Sequence, residues 1–142
     1  MERKPKPEGY IEPMPKKLFF ELMRDFKALG GLYIANDDSE RYLDIRGVEA
    51  DTLNATTILF RKKPTRAAVY EELFHAKQYR EGKIKDTDLS VILCEIEAQE
   101  YLLENAKELQ LTQPEISQTQ NALAWYKERL KVLKGDESND NL

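Results

Sequence analysis

The chain has 142 residues, 41% of them apolar and 34% charged, with a formal charge of −4 and a pI near 5.2. That size holds one domain with a modest core, and the acidic balance excludes indiscriminate phosphate binding, which needs a basic surface. A single cysteine, Cys94, excludes an internal disulfide framework and a Cys-rich zinc module. No apolar run approaches the ~20 residues of a membrane span and the Lys/Pro-rich start has no signal-peptide core, so a soluble protein is expected.

Residues 1–15 hold four prolines and no apolar period, which predicts a flexible linker or arm. Leu18, Phe19, Leu22, Phe26 and Leu29 then recur at helical spacing, predicting a helix from Lys16 to Leu29 that stops at Gly30-Gly31. Three strands are expected next: Leu32–Ala35, closed by the turn signal Asn36-Asp37-Asp38-Ser39; Arg41–Ile45; and Thr56–Lys62, whose Thr57-Ile58-Leu59-Phe60 is the most β-prone run in the chain. Thr65 is the expected N-cap of a helix that Gly82 ends. Asp86 or Asp88 can cap a long helix reaching about Leu111, and Thr112-Gln113-Pro114-Glu115 fits a capping box with proline in the first turn. The last helix carries Ile116, Leu123, Tyr126, Leu130 and Leu133 at 3/4 spacing and is expected to run to Lys134, with Gly135 as its stop. Residues 16–134 therefore read as a single α+β domain, mostly helical, and the acidic residues 135–142 as a disordered tail.

The only histidine, His75, lies in Tyr70-Glu71-Glu72-Leu73-Phe74-His75-Ala76-Lys77-Gln78. At 100° per residue, Glu71, His75 and Gln78 share one stripe of a helix, with Glu72 and Tyr79 beside it. Val69, Tyr70, Leu73 and Phe74 fall on the opposite, packed side. Imidazole and carboxylate together suit a divalent metal, while the plainer reading of the stripe is a solvated polar face. In the following helix Leu89, Ile92, Leu93, Ile96 and Leu103 define an apolar stripe with Glu100 in its middle and Glu97 and Glu104 on one edge. Acids on a packed stripe require a partner, either a metal or a basic side chain. Antiparallel pairing through a short loop brings Glu97 within about one turn of the level of His75. Glu71, His75 and Glu97 are therefore the expected ligands, with Glu100 in reserve and Gln78 as an outer partner. Cys94, Trp125 and Tyr126 read as packing residues.

Thr65–Glu104 resembles the zincin-like metallopeptidases, in particular the compact toxin domains at the ends of bacterial polymorphic toxins. Their pattern is a strand, a helix with His-Glu-x-x-His, and a later helix with an acid in a Glu-Ala context. Here these are Thr57–Phe60, Glu71-Glu72-Leu73-Phe74-His75 and Glu95-Ile96-Glu97-Ala98, with Glu71 standing where the pattern has its first histidine. The resemblance implies a zincin-like fold with a small three-stranded sheet before the active-site helix. It also implies zinc on Glu71, His75 and Glu97, and Glu72 as the general base in hydrolysis of a protein substrate by metal-activated water. An immunity protein would be the partner, and the location would be the producer's cytoplasm or the cytoplasm of a target cell. Two anionic ligands weaken the Lewis acidity of the ion, so a degenerate, non-catalytic zincin is the neighbouring possibility.

Three other readings compete. A ferritin-like di-iron site needs Glu-x-x-His on two helices, and only Glu72-x-x-His75 is present. An RNA-cleaving toxin would use Arg61, Lys62, Lys63 and Arg66 beside a helix N-terminus to hold phosphate, with Glu72 and His75 as acid and base. A non-catalytic interaction domain would use the Ile116–Leu133 face against a partner.

Overall fold

The computed structural model of the protein describes residues 9–140, with side chains described as far as Gly135. In chain order the elements are α1 (Lys16–Ala28), β1 (Leu32–Ile34), α2 (Asp37–Arg46), β2 (Ala50–Asn54), β3 (Thr57–Phe60), α3 (Arg66–Arg80), α4 (Asp88–Glu104) and α5 (Gln113–Asp140). The mostly helical α+β class expected from the sequence is the one observed.

The central strand is β3, parallel to β1 and antiparallel to β2. Its Ile58, Leu59 and Phe60 are all buried, as a strand covered on both faces requires. Phe19, Met23 and Phe26 of α1 pack with Ile58 and Phe60 on one side of the sheet, and Val69 and Ala76 bring α3 into the same core. Phe19 meets Tyr33 and Phe60 edge-on, with ring centres 5.4 and 5.5 Å apart. The turn after α1 depends on Gly31, where a Cβ would lie 2.5 Å from the Phe26 ring. A second core joins Ile92 and Ile96 of α4 to Ala122 and Tyr126 of α5. α3 lies between the two cores and is buried on both sides.

Two expectations about the first half are corrected. Arg41–Ile45 is not a strand but the body of α2. Asn36 accepts from the Ser39 backbone N–H at 2.9 Å while the Ser39 hydroxyl accepts from the Asn36 N–H, so the supposed turn signal is a capping box. Asp37, Asp38 and Glu40 then favour the positive end of the helix dipole, and Gly47 ends α2 in the left-handed conformation at φ 69°. The third strand is instead β2, a polar edge strand closed onto β3 by Asn54, whose side chain accepts from Thr56 N–H at 2.9 Å.

The later helices begin where expected, with one shift. Thr65 caps α3 by accepting from Ala68 N–H at 3.2 Å. The cap of α4 is Thr87, between the two aspartates expected to serve, and it accepts from Ser90 N–H at 3.1 Å. α4 ends at Glu104 rather than near Leu111, because the chain passes through turns to Gln110, a non-glycine residue at φ 55°. Of the expected arm, residues 1–8 lie outside the described residues. Pro13 bridges to Thr65, and buried Met14 donates its N–H to Pro64 O at 2.8 Å. α5 continues through Gly135 to Asp140. The backbone of 135–140 is thus helical, where a stop at Gly135 and a disordered tail were expected; the side chains of residues 136–140, and residues 141–142 altogether, lie outside the described part.

Glu115 joins the two halves. One carboxylate oxygen closes the capping box with Thr112 N–H at 3.0 Å, and the other accepts from Ala67 N–H at the start of α3 at 2.6 Å. One buried acid therefore caps two helices. Glu115→Ala removes the carboxylate bonds to both helix starts, beside the Thr65 and Thr112 caps, and leaves a buried donor without its acceptor. It should lower unfolding stability by about 2–4 kcal/mol in urea titration, more than a single cap contributes.

Candidate metal centre

Glu71, Glu72, His75 and Gln78 lie on α3 and are all buried, so the plainer of the two readings of this stripe, a solvated face, does not hold. It faces α4 and α5, while the opposite side of the helix meets the sheet. Thr52 of β2 donates its hydroxyl to Glu72 O at 3.0 Å, pinning this turn of α3 to the sheet. Phe74 stacks on Tyr101 with ring centres 4.5 Å apart, which fixes α4 against α3.

One donor atom each from Glu71, Glu72 and His75 can be chosen so that all lie within 4.8 Å of one another. The acid that α4 adds is Glu95, with Oε1 2.6 Å from His75 Nε2; Glu71 Oε2 is 3.6 Å from the same nitrogen. The Glu95 oxygen lies off the line along which the ring would donate, so Nε2 has ionic neighbours but no aligned hydrogen-bond acceptor. The other ring nitrogen is fully engaged, 2.7 Å from Gln78 Oε1. Gln78 Nε2 in turn donates to Cys94 O at 2.9 Å and lies 3.3 Å from Glu97 Oε1. Both of those partners are acceptors, so the amide can face only one way. Nδ1 must therefore carry the proton that Gln78 Oε1 accepts. In a neutral ring this leaves Nε2 without a proton beside carboxylates, an arrangement that calls for a cation, either a second proton or a metal ion.

Tyr126 of α5 completes the surroundings by donating its hydroxyl to Glu95 Oε2. Burial, with Glu95 beside it, pushes the phenol far above its ordinary pKa, so it remains a donor that orients the carboxylate. Burial alone would push the His75 imidazolium to lower pKa. Glu95 and Glu71, with Glu72 beyond them, outweigh that effect and hold it well above 6.5. Without metal, the second proton on His75 thus plays the part of the cation.

Glu71, Glu72 and His75 could hold a divalent ion. Two ligands each about 2 Å from a tetrahedral ion stand about 3.3 Å apart, close to the Glu71–His75 separation, whereas the Glu95–His75 approach is that of an ion pair. Exchange of the proton for the ion would occur at Nε2, with Gln78 and Tyr126 as outer partners that set ring and carboxylate orientation.

Two of the acids named from the sequence are elsewhere. Glu97 lies toward the edge of α4, 3.2 Å from Lys83 Nζ, and reaches the centre only through Gln78. Glu100 is exposed rather than set in a packed stripe. Glu95 takes their place because α4 is rotated so that Cys94, Ala98, Gln99 and Leu102 are buried while Leu93 is 46% exposed. The small residues Cys94 and Ala98, one turn apart, were the available signal for a close helix contact on that face. The cations of the RNA reading are mostly occupied: Arg61 pairs with Asp44 at 2.8 Å and Glu49 at 3.3 Å, Lys62 with Asp37, and Arg66 with Glu12 at 3.2 Å, while Lys63 is exposed. Cys94 is buried as expected.

No protein-family model, curated protein or solved structure matches the chain. No helix among the described residues is long and apolar enough to cross a membrane.

The raised pKa of His75 has a defined consequence for stability. A group protonated more tightly in the folded state stabilises it fully below the unfolded pKa of 6.5, and this contribution is lost as pH rises through the folded value. Metal-free protein should therefore lose stability to urea as pH rises above 6.5. His75→Gln should flatten that part of the profile.

Proposed function

We propose that the protein is a metal-dependent hydrolase of protein amide bonds, with Glu71, His75 and Glu95 as metal ligands and Glu72 as the general base. The observation that carries this reading is the orientation of His75. Gln78 holds Nδ1 as a donor at 2.7 Å, and the opposite nitrogen faces acids from two helices. Imidazole with carboxylates is a donor set for zinc, and also for iron or manganese. A zinc ion there would polarise a substrate carbonyl and lower the pKa of water, which is the chemistry amide hydrolysis needs.

The chain's own residues supply the rest. Glu71 and Glu72 are neighbours on α3, so their carboxylates share one buried region while leaving the helix in different directions. With Glu71 assigned to the ion, Glu72 takes the proton of the attacking water and delivers it to the departing amine nitrogen. Gln78 keeps the imidazole from rotating, and Tyr126 keeps one oxygen of Glu95 engaged so that the other faces His75. A toxin role, with an immunity protein as partner, extends this proposal and rests on the motif resemblance of Thr65–Glu104.

Metal analysis of zinc-loaded, desalted protein tests the ligands. About one equivalent is expected in the wild type, with loss in His75→Ala and Glu95→Gln and retention in Glu97→Gln. Gln78→Leu should weaken zinc binding by about 10–100-fold. Glu72→Gln should keep the zinc but lower peptide hydrolysis by about 10²-fold or more. Equal metal content in the wild type and His75→Ala would overturn the assignment, leaving the cluster as a buried ion-pair network in an interaction domain.

A further inference from the structure

β1 is an edge of the sheet, and among the described residues no strand pairs with its outer side. Leu32 donates its N–H to Thr56 O at 2.7 Å, so in this parallel ladder Leu32 and Ile34 carry the bonds to β3. The N–H and C=O of Tyr33 therefore point outward, away from the sheet. Register also sorts the side chains. Tyr33 stands beside Ile58 on the face that α1 covers, while Leu32 and Ile34 stand beside Thr57 and Leu59 on the other. There α2 is anchored at the far end of β3, its Ser39 hydroxyl 2.8 Å from Phe60 O, and Leu32 remains 56% exposed and Ile34 36%. An open strand edge with bare apolar side chains is a template for another strand.

α1 decides what that strand can be. Its Leu18 and Leu22 turn one flank toward the core, so the opposite flank lies on the side of the free edge. Lys16, Lys17, Phe20, Arg24 and Lys27 fall within about 100° of arc on that flank, and all are exposed. Lys27 Nζ sits 5.1 Å from the centre of the Tyr33 ring, which places the flank beside the strand. Glu21 and Asp25, the acids of the helix, lie outside this arc. Elsewhere Arg41, Arg61, Lys62, Arg66 and Lys83 are ion-paired, but among the described residues none of these four cations is. They span about 16 Å of α1, the length of about five strand residues. An added strand would lie about 4.8 Å beyond β1, with Phe20 and the cations over one face and Leu32 and Ile34 beside the other.

We propose that the β1 edge, overhung by the basic flank of α1, binds an extended segment of a partner protein whose residues alternate acidic and apolar. The backbone of that segment exchanges hydrogen bonds with Tyr33, its acids meet Lys17, Arg24 and Lys27, and its apolar residues cover Leu32 and Ile34. A second copy of the chain does not fit, because pairing β1 with β1 about a two-fold axis sets the two basic flanks against each other. A nucleic acid would satisfy the cations but neither the strand edge nor the apolar pair. The His75 centre sits toward the other edge of the sheet, where Thr52 ties α3 to β2, so this surface depends neither on a metal ion nor on hydrolysis.

A short blocked peptide alternating glutamate and valine, titrated into the ¹⁵N-labelled protein, tests this by NMR. Saturable shifts centred on β1 and α1 are expected, with slowed hydrogen exchange at the Tyr33 amide. A lysine–valine peptide of equal length should bind more weakly by about tenfold or more, and Arg24→Glu combined with Lys27→Glu should reverse that preference. Both side chains are exposed, so the charge reversal costs the fold little. A fully N-methylated glutamate–valine peptide, unable to donate to the strand edge, should not bind. Absence of a saturable shift, unchanged exchange at Tyr33, or equal binding of the N-methylated peptide overturns the inference. So does tighter binding of oligouridylate than of the peptide, which would make the flank a nucleic-acid surface. A dimer in sedimentation that Ile34→Lys dissociates would likewise overturn it, assigning the edge to a second copy.

Discussion

The geometry of the interior turns on one amide. Gln78 can present its oxygen to His75 only because its nitrogen is committed to Cys94 O and lies against Glu97, so the side chain is held by α4 and directs a residue of α3. That commitment fixes which imidazole nitrogen bears hydrogen and which faces Glu71 and Glu95. Both side chains are buried, where the low dielectric strengthens each bond and makes an unmet one expensive. A glutamine one turn from a histidine thus fixes which nitrogen of a titratable ring meets the carboxylates.

The helix that carries these groups is held from both sides. Its Val69 and Ala76 belong to the sheet-side core, while Glu71, His75 and Gln78 meet α4 and α5. Glu115 ties the start of α3 to α5, and Thr52 ties its middle to β2. Polar groups on a buried helix face are tolerable when each finds a partner, and here the partners come from three different elements. Precise placement follows from this, because a side chain bonded to elements that are themselves packed has little freedom to turn.

Much of this was legible locally. The apolar spacing of Leu18–Leu29, the caps at Thr65 and Thr112, and the β-branched run at Thr57-Ile58 all act within a few residues, and each became the element it signalled. The Glu71–His75–Gln78 stripe was equally readable, since helical phase alone puts those residues together. The misreadings came where one local signal serves two structures. Asn36–Ser39 is composed like a turn and like an N-cap, because the same short side chains satisfy backbone N–H groups in both. β2 was missed because a polar edge strand has no apolar alternation to display.

The sequence by itself determined the class of fold, the start of each later helix to within a residue or two, and the convergence of imidazole, carboxylates and amide on one face of α3. Only the tertiary structure decided that this face is interior and that Glu95, not Glu97, meets it. The physical reason is rotational. Two residues apart on a helix is about 200° around its axis, so the choice between those acids depends on how α4 is turned against its neighbours. That turn is set by the burial of Cys94, Ala98 and Gln99, the Phe74–Tyr101 stack and the reach of Tyr126 from α5. None of those contacts is local in the chain, and hydrophobic periodicity carries no information about them.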